Sequence, residues 1–449
     1  MLYEIPTLSE NVSPSWPEGV GYIKARLPNG EPADIPVLNM SNTIVFGTTG
    51  SGKTTSFVLP AVERLLSANS TMKCVFFETK RTFLDRFLGD NDKVIVHSST
   101  GIPEKNLFRW NLIKEIRQAN DSESEAKQIA DFLFHDLLHG ANNNLAWVES
   151  ARNLFLAVLR TIVDCYPDNT SNRTLVDALR RMSVEEILSY VSRYPRNHAV
   201  VRDFGFDVKK PGAYKPTRRA GDVMFFFNQV VERFSANFAS DGSDSIHDYL
   251  RGAYGRNLFL LHDLAKAEIA RPFLTYFLYK IKSDKMSLSS DIKDVPVLFV
   301  MDEADKLAGS GSSADFGIYQ TCTLGREYRM QVILSTQSVE NLYGLASGFN
   351  EHITRGGLAG FPVVCSFNVA ESSTTSELQS LFGTKRKEIY TRASSRYSTP
   401  TLKSEIESIV TSEELVSLDT GECFIKIKNH KPVKVKILLD QDNGGLKWQ

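Results

Sequence analysis

Apolar residues fall along this chain in two alternating kinds of run. Short continuous ones stand at Asn42 to Phe46, Lys73 to Phe77, Asn257 to Leu261, Val297 to Met301, Val332 to Ser335, Val363 to Phe367 and Cys423 to Ile427, the pattern of strands buried on both faces. Stretches with helical spacing separate them, beginning with Thr55 to Leu66 directly after the first. Strands alternating with helices predict an α/β domain with a parallel sheet. From about Leu112 to Ser240 helical periodicity dominates. There Asp121 is placed to cap a helix through Ile129, Phe132, Leu133 and Leu137. Trp147 to Val163, interrupted by Glu149, Arg152, Asn153 and Arg160, reads as a core helix. The block is a mainly helical insertion into one α/β domain. Ahead of the first strand, Gly19 to Leu38 holds short alternating runs broken by Pro28-Asn29-Gly30, a turn signal, and reads as a small β-rich opening. No internal repeat is visible, and Gly309 to Ser313 reads as a short flexible loop.

At 449 residues the chain exceeds one ordinary domain of ~100–200 residues, so two or three structural units are expected. Its 42% hydrophobic and 23% charged residues are those of a folded, soluble protein. A net charge of -1 argues against attachment to nucleic acid by overall charge, so any such contact must be local. The five cysteines are scattered, which suggests neither a disulfide framework nor a zinc site and fits a reducing cytosol. No run reaches the ~18 apolar residues of a membrane span, and Met1 to Asn11 lacks a signal-peptide profile. A cytoplasmic chain with no transmembrane segment is expected.

The strongest chemical signal is Gly47-Thr48-Thr49-Gly50-Ser51-Gly52-Lys53-Thr54, a complete GxxxxGK[ST] between a predicted strand and a predicted helix. Its glycines let backbone N–H groups turn inward around phosphates at a helix N-terminus. Lys53 would reach the β/γ-phosphates, and the Thr54 hydroxyl a Mg²⁺ position. The nucleotide-binding set is therefore Gly47, Thr48, Thr49, Gly50, Ser51, Gly52, Lys53, Thr54 and the following Thr55, with ATP and Mg²⁺ as cofactors. The strand Val297 to Met301 ends in Asp302-Glu303. Asp302 would hold the metal through water and Glu303 would polarise the attacking water; the alternative is a pair that caps the following helix. Gln337, at the tip of a later strand, is placed to sense the γ-phosphate. Arg326, in Leu324-Gly325-Arg326-Glu327, could complete a neighbouring subunit's site or be an ordinary surface cation. Lys209, Lys210, Lys215, Arg218 and Arg219 form a basic cluster for DNA or an acidic partner, or a solvated face.

Together these stretches resemble the nucleotide-binding domain of the type IV secretion coupling proteins, the conjugative DNA-transfer ATPases related to the FtsK/HerA translocases. The resemblance covers most of the chain. Leu324 to Gln337 with Ser338 to Gly344 is similar to the family's GR…QS segment. Asp244 to Leu250 is similar to its Ser-Ile-Arg-Asp/Ser-Trp element, and Trp110-Asn111 resembles the Trp-x-x-x-Asn that leads into its all-α domain. Ala370 to Lys385 and Val410 to Lys428 resemble its closing helix and strands.

The resemblance implies a RecA-like P-loop NTPase domain with an inserted all-α domain. Its expected division is a β-rich opening at 1–40, nucleotide-binding domain at 41–111 and 241–440, all-α insertion at 112–240 and a tail at 441–449. It implies an arginine-finger role for Arg326 and, for Gln337, coupling of hydrolysis to movement. It also implies a homo-hexamer acting on DNA, single-stranded and relaxase-bound, with a type IV secretion channel as partner at the inner face of the membrane. Where the family usually carries Asp-Pro-Lys-Gly-Glu, this chain has Glu78-Thr79-Lys80-Arg81-Thr82. Other readings of the same residues are a cytosolic HerA/FtsK-like translocase for repair or phage defence, and an ATP-switched adaptor for protein substrates.

Overall fold

The structure, a computed structural model, describes residues 16–96, 101–165, 170–210, 214–215, 218–287, 291–303, 306, 318–343, 358–391 and 401–438. The 309–313 loop and the 441–449 tail lie outside them. Fourteen strands run in chain order among the described residues: β1 Gly21–Ile23, β2 Ala25–Arg26, β3 Ile35–Val37, β4 Thr43–Phe46, β5 Lys73–Glu78, β6 Lys93–Ile95 and β7 Asn257–Leu261. Then come β8 Val297–Asp302, β9 Met330–Thr336, β10 Val363–Ser366, β11 Thr384–Thr391, β12 Thr401–Ser408, β13 Glu422–Ile427 and β14 Val433–Ile437. Ten of these strands form one sheet in the order β2-β14-β13-β10-β4-β9-β8-β5-β7-β6. From β10 to β6 every pairing is parallel, and β13, β14 and β2 extend the β10 edge antiparallel. β1 pairs with β3, and β11 with β12 as a separate hairpin.

The continuous apolar runs follow from burial on both faces. Val45, Phe76, Phe259, Val300 and Ile333 point to one face, where they pack with Phe57, Val62 and Leu65 of the first helical segment. Ile44, Val75, Phe77, Phe299 and Leu334 point to the other. That second core is continuous with the apolar faces of the helical block, through Trp110, Phe134, Phe155 and Phe227. Its long helices are Ser122–Gly140, Leu145–Cys165 and Arg218–Phe238. Asp121 caps the first, its side chain accepting from the N–H groups of Glu123 and Ser124.

The chain enters and leaves the helical block side by side. Asn111 N–H donates to the Asp244 carbonyl at 2.8 Å, and Asp244 N–H to the Arg109 carbonyl at 2.9 Å. Gly242 allows this approach: a Cβ there would lie 2.0 Å from the Arg109 carbonyl oxygen. Glu115, fully buried, accepts from Trp110 Nε1 at 3.0 Å and from the Ile246 N–H at 2.8 Å. The two stretches Trp110-Asn111 and Asp244 to Leu250 are thus the two sides of one neck. Among the described residues no helix is long and apolar enough to cross a membrane.

Candidate nucleotide-binding and catalytic site

The carboxyl ends of β4, β8, β9 and β10 face one side of the sheet, where open α/β sheets bind their ligands. The loop after β4 is anchored at three points. Gly47 N–H donates to the Thr336 carbonyl at 3.2 Å, Thr48 N–H to the Asn368 carbonyl at 2.7 Å, and Gly421 N–H to the Ser51 carbonyl at 3.2 Å. Gly52 is left-handed at φ 97°, and a Cβ there would stand 3.0 Å from Ser56 Oγ. Any other residue would strain the turn into the helix. That helix begins with a π-wound turn, Lys53–Val58, and continues as the α-helix Leu59–Ala68. Leu59 N–H reaches back five residues to the Thr54 carbonyl, just before Pro60, which has no N–H to give.

Thr48, Thr49, Gly50, Gly52, Lys53, Thr54 and Thr55 line an open cleft, with Lys80, Thr82, Asp302, Glu303, Ser335, Thr336, Gln337 and Thr420 completing its wall. Lys53 Nζ donates to the carbonyls of Gly47 and, at 3.0 Å, Thr48. Thr54 Oγ1 lies 3.4 Å from Asp302 Oδ2, so a hydroxyl and a carboxylate oxygen converge from opposite walls. Burial raises the Asp302 carboxyl above its usual range, opposed by a hydrogen bond from Ser335 and by the charges of Lys53 and Lys80.

Glu303 faces Thr79 and Lys80: Oε2 accepts from Thr79 Oγ1 at 2.9 Å and Oε1 from Lys80 Nζ at 2.7 Å. Burial disfavours its charge, but those hydrogen bonds and the nearby lysines outweigh it and hold the carboxyl below its usual range. Glu78, at the end of β5, accepts from the N–H groups of Phe83 and Leu84, both at 2.8 Å. It thereby ties down the start of the short Thr82–Phe87 helix. Burial lifts its carboxyl to about 7, against the pull of those two N–H groups.

The cleft therefore gathers every expected nucleotide-binding residue except Gly47 and Ser51, which shape the loop from behind: Ser51 is buried and bonds to the Thr48 carbonyl. Gln337 lines the cleft as well. Arg326 does not; it is exposed on the 3₁₀ turn Gly325–Tyr328. Lys209, Lys210, Lys215, Arg218 and Arg219 are all exposed, the last two on the first turn of the Arg218–Phe238 helix. Sequence reasoning missed Thr79, Lys80 and Thr420. For the first two the available signal was their place directly after a buried strand, where a parallel sheet presents its site residues.

Fold and site together define a RecA-like P-loop NTPase. The model of the family described as "Type IV secretion-system coupling protein DNA-binding domain" matches residues 33–440, and the chain belongs to that family. No curated protein sequence matches the chain. Among solved structures, the unbound bacterial conjugative coupling protein TrwBdeltaN70 is similar at TM-score 0.65 and 15% identity, covering 96% of this chain and 90% of that one. Plasmid coupling protein TrwB in complex with ADP and Mg²⁺ is similar at TM-score 0.62 and 15% identity, covering 91% and 88%. VirB4 of Thermoanaerobacter pseudethanolicus has TM-score 0.53 and 12% identity, covering 95% and 98%.

Proposed function

We propose that this coupling-protein domain binds Mg²⁺-ATP in the cleft and hydrolyses it to drive DNA movement. The observation that carries the reading is the meeting of Thr54 and Asp302 at 3.4 Å beside Lys53, in a cleft that Thr48, Thr49, Gly50 and Gly52 of the same loop also line. Two hard oxygen donors suit Mg²⁺, and a lysine on a glycine-rich loop that opens a helix suits phosphate. The solved TrwB complex with ADP and Mg²⁺, a protein of the same fold, supports the same pair of ligands. Bound Mg²⁺ would neutralise developing charge on the phosphates. Lys53 neutralises the β/γ-phosphates, Thr54 and Asp302 hold the metal, and Glu303 orients the attacking water. Gln337, on the cleft wall, senses the γ-phosphate side and couples hydrolysis to movement. Arg326, exposed and remote from its own chain's cleft, serves a neighbouring subunit, which makes the working form a ring; we take it to be a hexamer. Relaxase-bound single-stranded DNA and a secretion channel are its partners in this reading, with the chain at the inner membrane face through them.

Lys53→Ala is expected to abolish ATP turnover and weaken nucleotide binding, measured by phosphate release and by titration with ADP. Normal turnover in that variant would remove the P-loop from the reaction.

A further inference from the structure

Glu303 follows the last residue of β8, and its backbone is left-handed at φ 52°, a region that glutamate seldom enters. Such a conformation persists where its surroundings over-determine it. Two side chains do so here, one on each carboxylate oxygen: Thr79 at 2.9 Å and Lys80 at 2.7 Å. Both come from the turn that leaves β5, the strand paired to β8 with Phe77 opposite Met301. The turn is itself pinned by Glu78, which accepts the Phe83 and Leu84 N–H groups. Neighbouring strands thus deliver an anchored turn to the residue after Asp302.

The Lys80 side chain is 58% exposed, and an ion pair that open to water adds little to stability. Its position matters more: Lys80 and Glu303 both line the cleft. A hold on each oxygen fixes the side-chain torsions of Glu303 and still leaves a lone pair on each for a water.

We propose that Thr79 and Lys80 are positioning residues that aim the Glu303 carboxylate into the cleft. This rests on the reading of Glu303 as the group that orients water. The three act as a unit, so removing either partner lets the carboxylate swing while the phosphate-binding loop stays intact.

The test uses the full chain with DNA present and compares ATP turnover, KM and the affinity for ADP. Lys80→Met is expected to lower kcat by about 10²-fold, the cost of misplacing a reacting group by about 1 Å, with ADP affinity kept within about threefold. Lys80→Arg should restore most of the loss. In a Glu303→Gln background Lys80→Met should cost nothing further, since the effects of a coupled unit do not add. Thr79→Val, which changes volume little, gives the same comparison if Lys80→Met fails to fold. Unchanged or raised turnover in both single variants would overturn the proposal. So would a loss confined to ADP affinity, which would make Lys80 a phosphate contact, or a loss that persists in full beside Glu303→Gln. If Glu303→Gln alone turns over like the parent, the reading of Glu303 fails; if it is inactive while Lys80→Met and Thr79→Val are not, only the positioning role fails.

Discussion

Glu115 is a buried acid held by two donors, the Trp110 indole and the Ile246 N–H, in the neck where the chain enters and leaves the helical block. Burial raises its carboxyl from 4.5 to about 7, with Lys280 opposing and Glu125 adding to the shift. Its folded pKa therefore lies above its unfolded one, and the folded chain takes up the proton first. The contribution of this group is most favourable below about pH 4.5, declines as pH rises to about 7, and is flat beyond, with a span of about 3 kcal/mol at most. Glu115→Gln keeps an acceptor for both donors and has no charge to bury. Relative to the parent, its urea midpoint should improve as pH is raised from 5 to 8; a difference that does not change with pH would show that Glu115 is not the titrating group. At this scale the sequence was legible where chemistry is local. The loop Gly47 to Thr54 encodes its own backbone turn, and Asp302-Glu303 announces itself at a strand end. The hold of Thr79 and Lys80 on Glu303 was not legible, because it spans more than 220 residues and depends on β5 lying beside β8.

Elements buried on both faces were readable as continuous apolar runs, and the seven such runs correspond to β4, β5, β7, β8, β9, β10 and β13. The strands that escaped notice lack that signature for physical reasons. β14 alternates Val and Lys because it lies near the sheet edge, paired with only the two residues of β2 beyond it. β6 has three residues. The β11–β12 hairpin stands apart from the main sheet and carries charges at seven of its sixteen positions, so no apolar period marks it. Helix starts were clearer, since a cap is a local chemical device. Asp121→Ala removes the acceptor for the Glu123 and Ser124 N–H groups and should cost about 1 kcal/mol, read as a lower urea midpoint with unchanged slope. An unchanged midpoint would mean that packing against the Leu145–Cys165 helix, not the cap, fixes that helix start.

In the proposed ring one chain completes another's site. Arg326 is exposed and outside the cleft that holds Lys53, Asp302 and Glu303, so its loss should leave ATP binding nearly intact. Arg326→Ala is expected to lower turnover by about 10³–10⁵-fold, the size of an arginine finger's contribution. Mixing it with Lys53→Ala should restore activity, because mixed rings contain some interfaces with both a working loop and a working finger; mixed oligomers that stay inactive would end the trans role. With a net charge of only -1, DNA must be gripped locally and the motor engaged by its polymer. The most direct measurement is therefore ATP turnover by the intact chain with and without single- and double-stranded DNA. A motor that moves DNA predicts turnover that rises on adding DNA and is nearly lost, with or without DNA, in Arg326→Ala. Turnover indifferent to either form of DNA, from a protein that binds ATP normally, would contradict it.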